Sequence, residues 1–449
     1  MAKKIIVNKF GGGILKKDLI PTIVKRLNEQ LREGYSPIVV VSAMPGITNS
    51  LVSFFNKLKE NPLKKNEVSL LIENYIIELK QIHAKIITDL GFNKEWREEI
   101  HIELEKLFFK LEVDLNTSLT KENLEDKIVS YGEKLSATIL PFYFNLVGLR
   151  SQRLIAEEIP IITDDNFKNA NIDYKLSEKN LKLAISKIKD IPVVAGFTGI
   201  TKDGFTTTLG RGGTDTTACF IGAGLRAEKI ILWKDVGGVL SADPRIVSQA
   251  KTIPFVSYQE AEEAGKIIHD KAIQYAKLFN TKVEIVSLAN PKFKTTVGKE
   301  GQIKKGAKIV SYKKDLTLFL ITDEVIKGNE LLSIVSQAFA KNKLDVILIS
   351  NTRYSLQIVA DNNNGSYKKV IDELKKKVFK VETHPVSMVF LVGNFDVKYV
   401  NDFNSLLIKS KTDLEISAFL YKNCTRIEAV IRTDKIESII KALYKKFIK

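Results

Sequence analysis

Lys3-Lys4-Ile5-Ile6-Val7-Asn8-Lys9-Phe10-Gly11-Gly12-Gly13 is the stretch that decides the fold class: residues 3–10 read as a buried strand running straight into three glycines. Glycines at a strand's carboxyl end let backbone N–H groups approach an anion that a Cβ would keep away. Lys9 supplies a cation there, suited to charge developing on a transferring phosphoryl group. Outward from this stretch, helical periodicity runs from Asp18 to Glu33, and Gly34 stands where a helix C-cap is expected. Pro37-Ile38-Val39-Val40-Val41-Ser42 is a second apolar strand, and Ile191–Phe197, Lys229–Trp233 and Val283–Val286 are three more. Apolar strands alternating with helices predict an α/β domain with an open, mainly parallel sheet sandwiched by helices. Residues 49–130 are helix-patterned throughout and predict an inserted or flanking helical layer.

Past Gly298 the pattern changes. Residues 315–383 read as strand, helix, strand, strand, helix, strand, and residues 386–449 repeat strand, helix, strand, strand, helix from Val386 to Phe447. Two successive ferredoxin-like α+β units are thus expected after a first region of residues 1–300. Neither repeat holds a glycine-rich phosphate loop, so catalysis is assigned to residues 1–300. The repeats are left to bind a small ligand or another subunit.

Composition narrows the classes. A chain of 449 residues suggests about three domains. The net charge of +16 comes from 69 basic against 53 acidic residues, but the lysines are spread along amphipathic helices, as in Lys57-Leu58-Lys59 and Leu374-Lys375-Lys376-Lys377. No basic-aromatic stripe accompanies them, so no nucleic-acid partner is expected. No apolar run is long enough to span a bilayer, no small-residue cleavage site follows the first strand, and neither membrane nor signal peptide is expected. Cys219 and Cys424 are far apart and the four histidines are scattered, so no protein-built metal centre is expected and a reducing, cytoplasmic setting fits.

Two further stretches carry chemistry. In Thr206-Thr207-Thr208-Leu209-Gly210-Arg211-Gly212-Gly213-Thr214-Asp215-Thr216-Thr217-Ala218, an arginine set between glycines can offer its planar fork to a carboxylate without crowding. Thr214 and Asp215 then stand at the start of a helix, where capping hydroxyls and free N–H groups gather anions. Trp233-Lys234-Asp235-Val236-Gly237-Gly238-Val239-Leu240-Ser241-Ala242-Asp243-Pro244-Arg245 leaves a strand at its carboxyl end, where open α/β sheets bind ligands. Asp235 could face a nucleotide or metal there, and Arg245 could reach phosphates. Gly222-Ala223-Gly224-Leu225-Arg226-Ala227 has dinucleotide-fingerprint spacing but ends a helix and precedes a strand, the reverse of the required order. No Walker-type loop occurs.

In this order the segments resemble the aspartate kinases of the amino-acid kinase superfamily. The resemblance runs through Lys9-Phe10-Gly11-Gly12, Ser42-Ala43, Gly46-Ile47-Thr48-Asn49, Gly132-Glu133, Phe197-Thr198-Gly199, Thr208 to Asp215, Trp233 to Val236, Asp243-Pro244-Arg245 and Gly265 to His269. It covers about the first 300 residues, and the repeat looks like the paired ACT domains that follow the kinase domain in that family. The resemblance implies phosphorylation of L-aspartate by MgATP to 4-phospho-L-aspartate, the entry to lysine, threonine and methionine synthesis. It implies catalytic roles for Lys9 and Asp215. Ser42, Thr48, Glu133, Arg211, Gly212, Gly213 and Thr214 would form the amino-acid pocket. Gly11, Gly12, Lys234, Asp235, Leu240, Arg245 and Lys266 would line the nucleotide site. It also implies a homodimer through the ACT units and a lysine or threonine effector there, with Gly328-Asn329-Glu330 beginning the effector helix.

Three positions depart from the family pattern. Gly13 replaces a hydroxyl residue, Leu240 stands where many members carry a tyrosine near the nucleotide, and Asp270 follows His269 where proline is usual. Two other readings stay open: a superfamily kinase for another small acid such as glutamate or acetylglutamate, and a catalytically silent amino-acid sensor. The intact Lys9, Arg211 and Asp215 argue against the sensor.

Overall fold

The computed structural model describes residues 4–60, 64–117, 121–235, 237–264, 268–299, 305–326, 328–342, 344–361, 367–410, 413–416, 425–432 and 436–448. They divide into two units, Met1–Val239 with Thr252–Gly301, and Leu240–Lys251 with Gln302–Lys449. In chain order the first unit runs β1 (Lys4–Phe10), α1 (Ile20–Arg32), β2 (Tyr35–Val41), α2 (Ile47–Glu60), α3 (Lys65–Asp89), α4 (Lys94–Leu115), α5 (Leu124–Leu146) and β3 (Ser151–Leu154). It continues α6 (Tyr174–Ser186), β4 (Ile191–Ala195), β5 (Thr198–Ile200), β6 (Thr206–Thr208), α7 (Gly213–Gly224), β7 (Lys229–Lys234), β8 (Phe255–Ser257), α8 (Tyr258–Ala264), α9 (Asp270–Leu278), β9 (Lys282–Ser287) and β10 (Lys294–Gly298).

Eight of these strands form one sheet in the order β3-β4-β2-β1-β7-β9-β10-β8. The first six are parallel, β10 joins antiparallel to β9, and β8 closes the edge parallel to β10. Central strands buried on both faces need apolar side chains on both, which is why β2 carries Ile38-Val39-Val40-Val41 and β4 Val193-Val194-Ala195. Side chains alternate along β1 and so divide the site from the core. Phe10 joins the core with Ile23 and Leu27 of α1. Asn8 bonds Gln30 of α1 at 2.8 Å and accepts from Trp233 Nε1 of β7 at 2.9 Å. Lys9 points to the opposite face, towards α7. On that face α7 is buried along its whole length. Gly222 makes its close approach possible, because a Cβ there would lie 2.4 Å from Ile230 of β7. Of the glycines with fingerprint spacing, Gly222 thus serves helix–sheet packing, and Gly224 faces Leu181 of α6. The helical stretch forms α2 to α5, with Leu79 of α3 and Leu104 and Leu111 of α4 sealed in one core.

The second unit runs β11 (Gly306–Thr322), α10 (Gly328–Lys341), β12 (Val346–Asn351), β13 (Ser355–Asp361), α11 (Tyr367–Leu374), β14 (Lys380–Asn394), α12 (Val397–Lys409), β15 (Asp413–Ile416), β16 (Arg426–Arg432) and α13 (Ile436–Phe447). Its strands make one antiparallel sheet, β12-β13-β11-β14-β16-β15. The sequence reading lays two repeats end to end, with a break before Val386. The structure has no break there: β14 is continuous, pairing through Lys380–Val386 with Leu316–Thr322 and through Met388–Asn394 with Gly306–Lys313. The first repeat is thus nested inside the second. Pro385 sits within β14, where β16 has not yet begun to pair, since that ladder starts at Ser387. A missing N–H is tolerated on such an unpaired side. Each repeat keeps its own core, one around Phe319, Leu331 and Ile358, the other around Val389, Phe403 and Ile440. Ala242, Ile246 and Val247 belong to the latter. Among the described residues no helix is long and apolar enough to cross a membrane.

Candidate active site

The carboxyl ends of β1, β2, β4 and β7 bring Lys9, Ser42, Phe197 and Lys234 to one end of the first unit's sheet. A cavity of about 510 Å³ there is lined by Lys9, Ser42, Thr48, Phe197, Arg211, Thr214 and Asp215 among others. Lys9 and Arg211, far apart in the chain, open into the same space. That volume suits a small ligand.

Lys9 is buried at the end of β1, its Nζ 2.6 Å from Asp215 Oδ1 in the first turn of α7. Lys234 Nζ at the end of β7 lies 3.3 Å from the other oxygen, Oδ2. Burial pushes the Lys9 ammonium below its ordinary value, and the neighbouring Asp215 carboxylate offsets only part of that. Burial alone would raise Asp215, but the two ammonium groups together hold it below the usual carboxylate range. Two cations on one carboxylate leave a surplus positive charge at a helix N-terminus. That combination favours phosphate oxygens.

Between β6 and α7 the chain turns through Gly210 (φ 76) and Gly212 (φ 72), both left-handed. Gly212 is the cap of α7, and a Cβ on it would fall 2.5 Å from His269 Cβ. Only glycine meets both demands. Arg211 is exposed at this turn and lines the cavity, and among the described residues its guanidinium has no ion pair. One turn further in, Ser42 Oγ donates to Thr214 Oγ1 at 2.9 Å, tying the β2 end to α7. Gly12 closes against the backbone on the other side, since a Cβ there would meet the Ala43 carbonyl oxygen at 2.8 Å.

Glu133 on α5 is buried beneath this floor. Its Oε1 accepts from the Ala43 N–H at 3.1 Å, and its Oε2 is buried with no hydrogen-bond partner among the described residues. Burial pushes the carboxyl up to about 8, against the opposing effects of the Ala43 N–H and the Lys9 charge. An incoming cation would find a buried oxygen without a partner there. Two turns earlier on the same helix, Asp126 lines the cavity, a residue the sequence reading passed over. Its place was legible in part, because positions 126, 129 and 133 fall on one helical face. Glu125, paired with Lys168, lines the cavity as well.

The other expected residues lie as follows. Gly11 and Gly12 follow β1, with a Cβ at Gly11 reaching 3.2 Å from Lys9 Nζ. Asp235 is exposed in the bend after β7. Leu240 and Arg245 belong to the second unit, where the Arg245 fork grips Asp243 through Nε at 3.0 Å and Nη2 at 2.7 Å. Asp243 also accepts from Tyr312 Oη at 3.2 Å, which fastens this excursion onto β11. Lys266 lies outside the described residues, as does Cys424. Among the described residues no three His, Cys, Asp or Glu side chains gather as a metal cage.

The model of the amino acid kinase family matches residues 4–287. Aspartokinase 1, chloroplastic, of Arabidopsis thaliana is similar at 28% identity over 92% of this chain and 75% of its own length. The aspartokinase of Rickettsia prowazekii (strain Madrid E) is similar at 28% over 65% of this chain and 54% of its own. In structure, E. coli aspartokinase III in complex with aspartate and ADP (R-state) is similar with a TM-score of 0.81 at 22% identity, over 99% of this chain and 100% of that one. Clostridium acetobutylicum aspartate kinase gives 0.77 at 23%, over 98% and 100%. At that level of identity these two likenesses bear on the fold.

Proposed function

The chain belongs to the amino acid kinase family, and from that premise we propose that it is an aspartate kinase, transferring the γ-phosphoryl group of MgATP to the side-chain carboxylate of L-aspartate. The product is 4-phospho-L-aspartate, with ADP as the other product. One observation carries the reading: the Lys9–Asp215 pair and the Arg211 guanidinium, which has no ion pair among the described residues, face a single cavity. The curated relatives named above are aspartokinases, which favours aspartate over other small acids.

A side-chain carboxylate is already ionised at neutral pH, so this nucleophile needs no general base. It needs alignment with the γ-phosphate and neutralisation of charge. Lys9 stabilises the phosphoryl group in transit, held in aim by Asp215, and Lys234 adds charge on the nucleotide side. Arg211 takes the α-carboxylate through paired N–H donors. Glu133 receives the α-ammonium with its unpartnered oxygen, and Ser42, Thr48 and Thr214 complete the pocket, with Gly212 and Gly213 leaving room. The backbone at Gly11 and Gly12, with Asp235, borders the nucleotide. A magnesium ion arriving on the phosphates would meet the Asp215 carboxylate, whose two oxygens Lys9 and Lys234 engage, and among the described residues no ready-made metal cage stands beside it. When bound, that ion supplies further neutralisation of the phosphate charge.

The second unit is the regulatory part of the proposal. It would bind lysine or threonine near Gly328, Asn329 and Glu330, where α10 begins, and pair with a second copy along the sheet edge β12, whose Val346 and Ile349 are exposed. A cytoplasmic setting belongs to the same reading.

An ADP-release assay over a panel of acids tests it. Turnover confined to aspartate is expected. Preference for glutamate or acetylglutamate would move the chain to another branch of the family, and no turnover of any acid would leave a silent sensor.

A further inference from the structure

Asp126 is a buried carboxylate in the first turn of α5. Both its oxygens accept from the Lys168 N–H, at 3.1 and 2.8 Å, and Oδ2 also accepts from the Thr208 N–H at 2.8 Å. Burial raises this carboxyl from its ordinary value, and the backbone donors pull it back only in part. Lys168 is held at φ 68, a left-handed conformation that disfavours a lysine. A buried charge and a strained backbone meet at one point, and both need a reason.

The reason lies in what the two bonds join. Thr208 ends β6, two residues before the Gly210–Arg211–Gly212 turn. Lys168 and Asn169 lie directly behind that turn: a Cβ on Gly210 would come within 2.7 Å of Asn169 Oδ1 and 3.1 Å of the Lys168 carbonyl oxygen. The Ala170 N–H donates to the Thr208 carbonyl at 2.9 Å, so the loop is laced to β6 twice. Lys271 of α9 grips the loop from outside the cavity, reaching the Asn169 carbonyl at 2.7 Å, Asn169 Oδ1 at 2.6 Å and the Ala170 carbonyl at 3.1 Å. Asp126 thus sits at the inner end of a brace whose outer face backs the arginine turn.

We propose that Asp126 is a positioning residue for Arg211: by pinning the 168–170 loop to β6 it fixes the turn that presents the guanidinium to the substrate α-carboxylate. The inference rests on the aspartate kinase reading for its substrate and on hydrogen-bond geometry for its mechanism. Its signature is selective. The brace touches the amino-acid end of the cavity and not the Lys9–Asp215–Lys234 cluster, so loosening it weakens the hold on the acid and spares the transfer step.

The test is Asp126→Asn in the full chain, which keeps the size but puts an amide where a backbone donor needs an acceptor. The KM for aspartate is expected to rise about tenfold, with kcat and the KM for ATP within about twofold of the parent. Hydrogen exchange should accelerate at residues 206–212 and stay slow in α7 and β1. Equal losses in kcat and both KM values, or exchange faster throughout the first unit, would make Asp126 a general staple and overturn the proposal. So would unchanged exchange at 206–212. Lys271→Met loosens the same loop from outside and covers the case in which Asp126→Asn does not fold. It should raise the KM for aspartate about threefold and quicken exchange at 206–212, and no change in either would be equally fatal. If the parent chain turns over no acid, the aspartate reading fails, and the exchange measurement still decides the brace.

Discussion

Lys9 Nζ and Asp215 Oδ1 stand 2.6 Å apart, buried where the end of β1 meets the first turn of α7. A lysine in this position is oriented by its carboxylate yet has hydrogens left for another anion. The contact is an aiming device for a cation.

Replacing Lys9 with Ala removes the aimed charge and leaves Lys234 to balance Asp215. Turnover should fall by about 10²–10³, the usual effect of deleting one preorganised donor, while the KM for ATP changes far less. Steady-state kinetics in both substrates would show this. A turnover number near the parent's would take Lys9 out of the mechanism.

Arg211→Lys keeps the charge and loses the fork. Because paired N–H donors recognise a carboxylate through geometry, the KM for aspartate should rise about ten- to a hundredfold with little change in the KM for ATP. An unaltered KM for the acid would place the α-carboxylate elsewhere.

Glu133 gives a pH signature of definite sign. Its folded-state value, about 8, lies above the ordinary carboxyl value of 4.5, so the folded protein holds this proton through the neutral range. The stabilisation is complete below the ordinary value and is lost as pH rises through 8. Melting curves should show Glu133→Gln gaining on the parent from pH 5 to pH 9, by about a few kcal/mol at most. Binding of an α-ammonium favours the ionised form, so aspartate should release a proton near pH 7, read as heats that vary with buffer. Buffer-independent heats would exclude that pairing.

Gly212→Ala combines a left-handed φ with a Cβ 2.5 Å from His269 Cβ. About 1–3 kcal/mol of stability should be lost, and affinity for the acid should drop with it. A variant as stable as the parent, with an unchanged KM, would show that the turn can relax.

Titration of the full chain with lysine and with threonine should give heat with one of them, accompanied by inhibition. Absence of heat with both would confine the second unit to assembly.

The sheet was legible because a strand covered on both faces can be written only in apolar residues: Ile6, Val39, Val40, Val193 and Leu232 leave little choice. Short polar β3 and three-residue β5, β6 and β8 escaped, since their identity comes from neighbours already in place. The nesting of the repeats escaped for a similar reason. The join between the two halves of β14 depends on partners at both ends of the unit, Gly306–Lys313 and Leu316–Thr322, which no local pattern announces. At the cavity, Lys9, Arg211 and Asp215 stood out because glycines flank them or a helix begins there. Asp126 did not, because an aspartate in a first helical turn looks like an ordinary response to the helix dipole. What distinguishes it is the identity of its donors, Lys168 and Thr208, which only folding brings together. Arg245 shows the converse, with a motif position in the chain but Asp243 of the second unit as its partner.

The uninterrupted β14 has a consequence for how this chain comes off the ribosome. Gly306–Lys313 emerges early, yet its antiparallel neighbour Met388–Asn394 follows only after the whole inner repeat has been made. The inner repeat can close while the outer one waits, like a bracket closed within a bracket. Meanwhile the edge of Gly306–Lys313, with Ile309 and Val310, stands unpaired, so a pause or truncation between residues 322 and 388 should be a point at which nascent chains stick to one another, whatever the health of the catalytic half.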